Sequence, residues 1–351
     1  MVIDLLKTLV SIPSASGSEA AIATKVESIF RDLHLEPLRS GDNVWAQVGS
    51  GNGPRLLLNS HIDTVPASPS WTIPPHPAQE RDGKIYGLGS NDAKASVSAM
   101  IAAVVGIREK IEKSGGTVIL AMTANEEMGR QGLETIVEEL KPLDAGIVGE
   151  PNGMEICIAQ RGSVSLHLSW RGKSAHAAHG SPDNAMKKAL EDLLAIERLD
   201  WPKADPMLGK TRCEVTQVHA GDRVNVIPDR VTASVDIRYS PAYDAEEIVR
   251  KVREVVRGEV KVHSDRRIAV STSERAPIVQ AAKDAQPQSA LVASGTSSDW
   301  VFLKGIDAIK MGPGNTKISH TADEFIPIED VVRAVKIYQD TILRFLSNAR
   351  T

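Results

Sequence analysis

Acids and histidines stand directly after apolar, strand-like runs at three places in this chain. His61 and Asp63 follow RLLLNS, Glu126 and Glu127 follow TVILAMTAN, and Glu150 follows DAGIVG. Asp92 and His320 add two more side chains of the same chemical kind. Zinc and similar divalent ions take neutral imidazole and carboxylate, and catalytic sites leave a position for water. Two such ions about 3.5–4 Å apart can polarise one carbonyl together. His61 and Glu150 could hold one ion, Glu127 and His320 the other, and Asp92, with two oxygens, could bridge them. Adjacent Glu126 and Glu127 repel unless a positive charge lies beside them; with Glu127 on a metal, Glu126 can face the water and take its proton. Asp63 lies two residues after His61, so in an extended segment both project from one side, and Asp63 could accept the imidazole N–H. The inventory is that of a two-metal hydrolase.

Taken singly, these residues have plainer explanations. Asp92 is placed to cap a helix N-terminus, where the dipole also favours a carboxylate. Glu126 and Glu127 alone would be exposed acids before a helix. Their shared placement decides the matter, because open α/β sheets bind ligands outside the carboxyl ends of their strands. His34, His76, His167, His219 and His263 lie apart from the cluster and are expected to be structural or solvated. Gly87 and Gly89 do not open a dinucleotide loop, since Asp92 stands where the third glycine belongs. GTSSD at 295–299 lacks the second glycine of a nucleophile elbow.

The elements that must position these residues alternate between helix and strand up to about residue 160. A first amphipathic helix is expected in MVIDLLKTLVSIPS, rather than a signal peptide, and further helices near 16–34 and 93–112. Strands are expected near 43–48, 55–60, 117–123 and 144–149, which makes an α/β layered domain. Residues 163–263 read as strand, helix, two strands, helix and strand, the βαββαβ order of a ferredoxin-like unit. After about residue 270 come glycine-rich loops and a helix near 328–347. Because His320 belongs with the first domain's ligands, 1–162 and 271–351 form one discontinuous catalytic domain and 163–270 an insertion.

Composition narrows the partners. A chain of 351 residues exceeds what one core usually holds. Apolar content of 42% and charged content of 25% are those of a globular protein, and no apolar run reaches the about 18 residues that span a bilayer. The net charge of −4 is spread along the chain, which argues against nucleic acid and for a small-molecule partner. Cys157 and Cys213 are too few and too separated for a disulfide framework, so a reducing cytoplasm is expected.

The segments HIDTV (61–65), GLGSNDAKAS (87–96), ANEEMG (124–129), GEP (149–151), KSAH (173–176), NVIP (225–228), DIR (236–238) and MGPGNTKISHTADEFI (311–326) resemble those of a family of dinuclear zinc enzymes. That family contains acetylornithine deacetylase, succinyl-diaminopimelate desuccinylase, aminoacylase and carboxypeptidase G. The resemblance spans nearly the whole chain and is nearest to the acetylornithine or succinylornithine deacetylases. It implies a zinc-peptidase-like catalytic domain with a mixed sheet covered by helices, an inserted lid and dimerisation domain, two zinc ions with cobalt as substitute, and a homodimer. It implies the ligand roles above and adds His176 as an oxyanion contact from a neighbouring subunit, with His179 close by. Arg238 would pair with the substrate α-carboxylate, Asn225 would touch the substrate, and Gly312, Pro313 and Gly314 would form a substrate-side loop. The implied reaction is hydrolysis of an N-acyl amino acid, N-acetylornithine or N-succinylornithine in arginine biosynthesis. A desuccinylase, a lysine-pathway carboxypeptidase and a dipeptidase or aminopeptidase are the alternatives, with a non-catalytic metal-stabilised binding protein outside that class. Glu150 is a departure, since many acetylornithine deacetylases carry Asp there and desuccinylase-type members carry Glu.

Overall fold

The apolar runs that precede the candidate ligands are strands, and the order in which they pair sets the site. The computed structural model describes residues 1–49, 51–128 and 132–348. In chain order, α1 (Val2–Val10) and α2 (Ala20–Asp32) lead into β1 (Leu38–Ser40), β2 (Asn43–Val48) and β3 (Arg55–His61). A hairpin of β4 (Gln79–Arg81) and β5 (Lys84–Tyr86) precedes α3 (Lys94–Gly106), α4 (Arg108–Ser114), β6 (Thr117–Thr123), α5 (Leu133–Leu140), β7 (Ala145–Val148) and β8 (Ile156–Gln160). There follow β9 (Gly162–Arg171), α6 (Ala185–Glu197), β10 (Arg212–Ala220), β11 (Arg230–Tyr239), α7 (Ala245–Val255) and β12 (Glu259–Arg267). The chain closes with α8 (Pro277–Ala285), β13 (Asp307–Lys310), β14 (Phe325–Pro327) and α9 (Ile328–Asn348).

Two units result. The first comprises Met1–Ile158, Thr272–Val292 and the described residues from Ser298 on; the second comprises Ala159–Ser271 and Ala293–Ser297. In the first, the sheet order is β1-β2-β6-β3-β7-β13-β8. Strands β6, β3, β7 and β13 are mutually parallel, whereas β2 and β8 run antiparallel to their neighbours, so the sheet is mixed as expected. Parallel strands have both faces covered and read as continuous apolar runs. Accordingly every residue of β6 is buried, and α3, which packs on the sheet, is buried from Lys94 to Val104. Leu56, Leu58, Leu120 and Ile147 meet Met100, Ile101 and Val104 in one core closed by Tyr338, Ile342 and Phe345 of α9. Each such apolar side chain contributes about 1.5–3 kcal/mol on burial.

The second unit has a four-stranded antiparallel sheet in the order β10-β11-β9-β12. By chain position, read from β12, these are strands 4, 1, 3 and 2, the ferredoxin-like arrangement. Val164, Leu166, Leu168 and Trp170 point to the helices and are buried, while Ser163, Ser165 and His167 alternate with them on the other face. His167 stacks on His263 with ring centroids 4.4 Å apart.

Several expectations are corrected. The helix expected near 93–112 is two helices, broken at Ile107, and the one expected near 16–34 begins at Ala20. Helix α8 and strands β13 and β14 lie where only loops were expected. Strand β13 is four residues long, too short to show a period, yet sits between β7 and β8 inside the sheet. Among the described residues no helix is long and apolar enough to cross a membrane. Cys157 is buried and Cys213 half-buried, the Cys213 thiol pushed up to about 12 by burial.

Candidate metal centre

Because β3, β6, β7 and β13 are parallel, their carboxyl ends fall on one edge of the sheet. His61 is the last residue of β3, Glu126 and Glu127 follow β6, Glu150 follows β7, and Gly312–Gly314 follow β13. Asp92 sits just ahead of α3 and His320 in the segment between β13 and β14. Segment 124–129 ends in Gly129, which lies outside the described residues.

Asp92 is at the centre of the group. Its Oδ1 lies 3.2 Å from His61 Nε2 and its Oδ2 lies 3.7 Å from His320 Nε2. His320 Nε2 is in turn 2.9 Å from Glu127 Oε1. His61, Asp92 and Glu127 each offer a ligand atom within 4.8 Å of the others. Asp92 is therefore not the N-cap: that position is Ala93, without a side-chain capping bond. His61 is 2% exposed, and its Nδ1 lies 3.0 Å from the Asp63 carbonyl, which can only accept. That contact puts a proton on Nδ1 and turns Nε2 toward Asp92 as the ligand atom.

Asp63 takes further partners besides the His61 ring. Its carboxylate is 3.4 Å from His61 Nδ1, farther than its own carbonyl, and its main partners are backbone amides. Asp63 Oδ1 accepts from Glu126 N–H at 3.1 Å and Oδ2 from Glu127 N–H at 3.2 Å, with the Ser16 hydroxyl donating to Oδ2 at 2.6 Å. Buried Glu19 accepts the preceding amide, that of Asn125, at 3.0 Å. Three successive amides are thus tied to two buried carboxylates. Asn125 has φ 58 and His320 φ 61, left-handed conformations that non-glycine residues hold only when their surroundings impose them.

Crowded acids set the electrostatics. Burial pushes the Glu150 carboxyl up to about 8, with the charge of His61 and Lys310 opposing and that of Asp92 and Glu127 adding to it. Burial also raises Asp92 and Asp63, but hydrogen bonds and charge from His61 outweigh it and leave both below the ordinary carboxylate range. His61 loses by burial and gains more from Asp63 and Asp92, ending well above the usual imidazole value. His320 is raised chiefly by Glu127. Carboxylates packed this closely around two imidazoles fit divalent cations, whose charge they would share.

Three buried charged residues here carried no expected role. Lys94, wholly buried, donates to the Ile12 carbonyl at 3.1 Å, and burial lowers its ammonium to about 7. Glu324, 1% exposed, accepts the amides of Gly89, Asn91 and Asp92, and burial raises it to about 7. Glu19 is the third. Lys94 and Glu324 belong to the segments NDAKAS and SHTADEF, and the available signal was a charge set beside small or apolar neighbours.

Glycine at 312 has a packing reason. A Cβ there would lie 2.5 Å from the Glu150 carbonyl and from Ser96 Oγ. At Gly314, with φ 96, it would lie 2.3 Å from Asn91 Oδ1.

His176, Asn225 and Arg238 belong to the second unit. His176 is exposed, in a two-residue strand paired with Val226–Ile227, and the Asn225 carbonyl accepts from Ala177 N–H at 2.9 Å. His179 lies with its ring 5.8 Å from that of His176. The Arg238 guanidinium forks onto Asp236, with Nε at 2.6 Å and a terminal nitrogen at 3.1 Å, so a carboxylate of the chain itself already orients it.

Residues 57–344, which include every candidate ligand, match peptidase family M20/M25/M40. A succinyl-diaminopimelate desuccinylase of Wolbachia pipientis wMel is 28% identical over 373 residues, spanning 98% of this chain and 93% of the relative. Among solved structures, aminopeptidase PepT from Bacillus cereus ATCC 10987 superposes with a TM-score of 0.82 at 21% identity over 98% of both chains. The M20 family metallo-carboxypeptidase Sso-CP2 from Sulfolobus solfataricus does so with 0.79 at 18% identity over 99% of both. At such identity these structures establish the fold alone, and one fold serves proteins of different named activities. The protein is a metal-dependent hydrolase, and the chain belongs to peptidase family M20/M25/M40.

Proposed function

We propose that the protein hydrolyses the amide bond of a small N-acyl amino acid. The observation that carries this reading is the Asp92 carboxylate, whose two oxygens face two different histidines at 3.2 and 3.7 Å, the disposition of a bridging ligand. His61, Asp92, Glu127, Glu150 and His320 would hold two divalent ions, zinc or cobalt in its place. When bound, such ions polarise the amide carbonyl and make water acidic near neutral pH. Glu126 takes the proton from the attacking water and returns it to the departing amine, so the C–N bond breaks without a free anionic nitrogen. Asp63 positions both Glu126 and Glu127 through their amides and fixes the His61 ring through its carbonyl. Arg238, oriented by Asp236, takes the α-carboxylate of the substrate, and His176 donates to the developing oxyanion. Asn225, Gly312 and Gly314 complete the substrate contacts. Residues 163–270 serve as lid and dimerisation domain to a catalytic domain of 1–162 and 271–351, and His176 comes from the second subunit of a homodimer.

The acyl group is proposed to be succinyl. The desuccinylase relative favours it, whereas the expectation of a deacetylase in arginine biosynthesis finds no support beyond its motifs. N-acetylornithine is the second reading. A panel of acetyl and succinyl derivatives of ornithine and diaminopimelate decides between them. Treatment with a chelator should abolish hydrolysis and zinc or cobalt restore it; turnover that survives complete metal removal would refute the reading.

A further inference from the structure

We propose that Glu324 is a positioning residue that holds Asp92 at a set distance from His320; this rests on the ligand set just proposed. Asp92 and His320 come from segments more than two hundred residues apart in sequence, and a bridging ligand works only if that gap is constant. Glu324 closes it from a position four residues beyond His320. Its Oε1 accepts from Asn91 N–H at 2.7 Å and from Asp92 N–H at 2.9 Å, while Oε2 accepts from Gly89 N–H at 3.0 Å. Its own carbonyl accepts from Gly87 N–H at 3.0 Å, so the segment 87–92 is gripped by both ends of one residue.

The turn that carries His320 is pinned on its other side as well. Asp323, with φ 55, accepts the amides of Thr72 and Ile73 at 2.8 and 2.9 Å. Asn91 adds a reciprocal tie, its Oδ1 accepting from Asn315 N–H at 2.8 Å and its Nδ2 donating to Ser319 Oγ at 3.3 Å. A buried carboxylate is costly to desolvate, and here it is matched by backbone donors of the ligand segment rather than by a salt bridge. Glu324 thus touches no reacting atom, yet the spacing of two proposed ligands depends on it.

The test uses full-length protein stripped of metal. Cobalt is titrated into wild type, Glu324→Gln and Glu324→Asp in competition with a chromophoric chelator, while the visible cobalt spectrum reports coordination and circular dichroism reports the fold. The glutamine variant loses one acceptor oxygen and the aspartate variant withdraws the carboxylate by one methylene. Both are expected to fold, to bind cobalt about 10–100-fold more weakly in at least one step, and to alter its spectrum. A merely structural role would lower the Tm of the stripped protein and leave cobalt affinity and spectrum as in wild type, which would overturn the proposal. Failure of both variants to fold would also overturn it, marking Glu324 as a folding residue. His320→Ala separates this inference from the reading beneath it: if that variant binds two cobalt ions as wild type does, the ligand set falls first.

Discussion

Two buried acid sites in this protein have opposite designs. In the second unit Asp192, 2% exposed, accepts from Trp170 Nε1 at 2.7 Å, Arg257 N–H at 2.8 Å, Arg257 Nε at 2.9 Å and Gly258 N–H at 3.1 Å. Four donors reach it, three on Oδ2 and one on Oδ1, against the about four that a carboxylate can accept. Burial pushes its pKa up, but these donors win and hold it below the ordinary carboxylate range. At the metal centre, by contrast, Asp92, Glu127 and Glu150 crowd together, and Glu150 is pushed up to about 8. A saturated carboxylate anchors structure. A buried carboxylate held beside two others, as Glu150 is beside Asp92 and Glu127, calls for a cation stronger than a hydrogen-bond donor.

The sharpest way to break this contrast is Asp92→Ala. Losing the proposed bridge should remove at least one equivalent of zinc by elemental analysis and abolish hydrolysis; full zinc content would mean that Asp92 is no ligand. Glu126→Gln should keep its zinc and lower kcat by about 10²–10⁴-fold, the usual weight of a general base. Turnover near wild type in that variant would remove Glu126 from the reaction.

Asp192→Ala tests the other pole. It strands the donors of Trp170, Arg257 and Gly258, and a stability loss of roughly 2–4 kcal/mol in urea unfolding is expected, with zinc content unchanged. A variant as stable as wild type would show the anchor to be dispensable. The smallest effect is that of pH. His61 and Glu150 are both raised, so protons compete with metal there, and their release as pH rises favours binding. Apparent zinc affinity should therefore climb with pH up to about 8. An affinity flat from pH 6 to 8 would show that neither group gives up a proton on binding.

Much of this site was legible because its ligands follow apolar runs. A parallel strand buried on both faces has to be apolar along its length, so RLLLNS and TVILAMT announced themselves and the side chains just beyond them stood out. Alternation made the second unit readable for the same kind of reason, with Leu166 and Leu168 inward and Ser165 and His167 outward. Strand β13 escaped because four residues carry no period, and Asp92 was open to misreading because a helix start usually takes a cap.

Local sequence thus determined the strand ends, the chemical types gathered there and the class of reaction, since each depends on neighbours a few residues away. Only the tertiary structure decided that four strands run parallel, that Asp92 faces both His61 and His320, that Asp63 holds amides more closely than an imidazole, and that Asp236 already occupies Arg238. The carboxylates of Glu19, Glu324 and Asp192 belong with these. Their partners are backbone amides and side chains brought together by the fold, and an amide that will meet a buried oxygen has no signature in the residue that bears it.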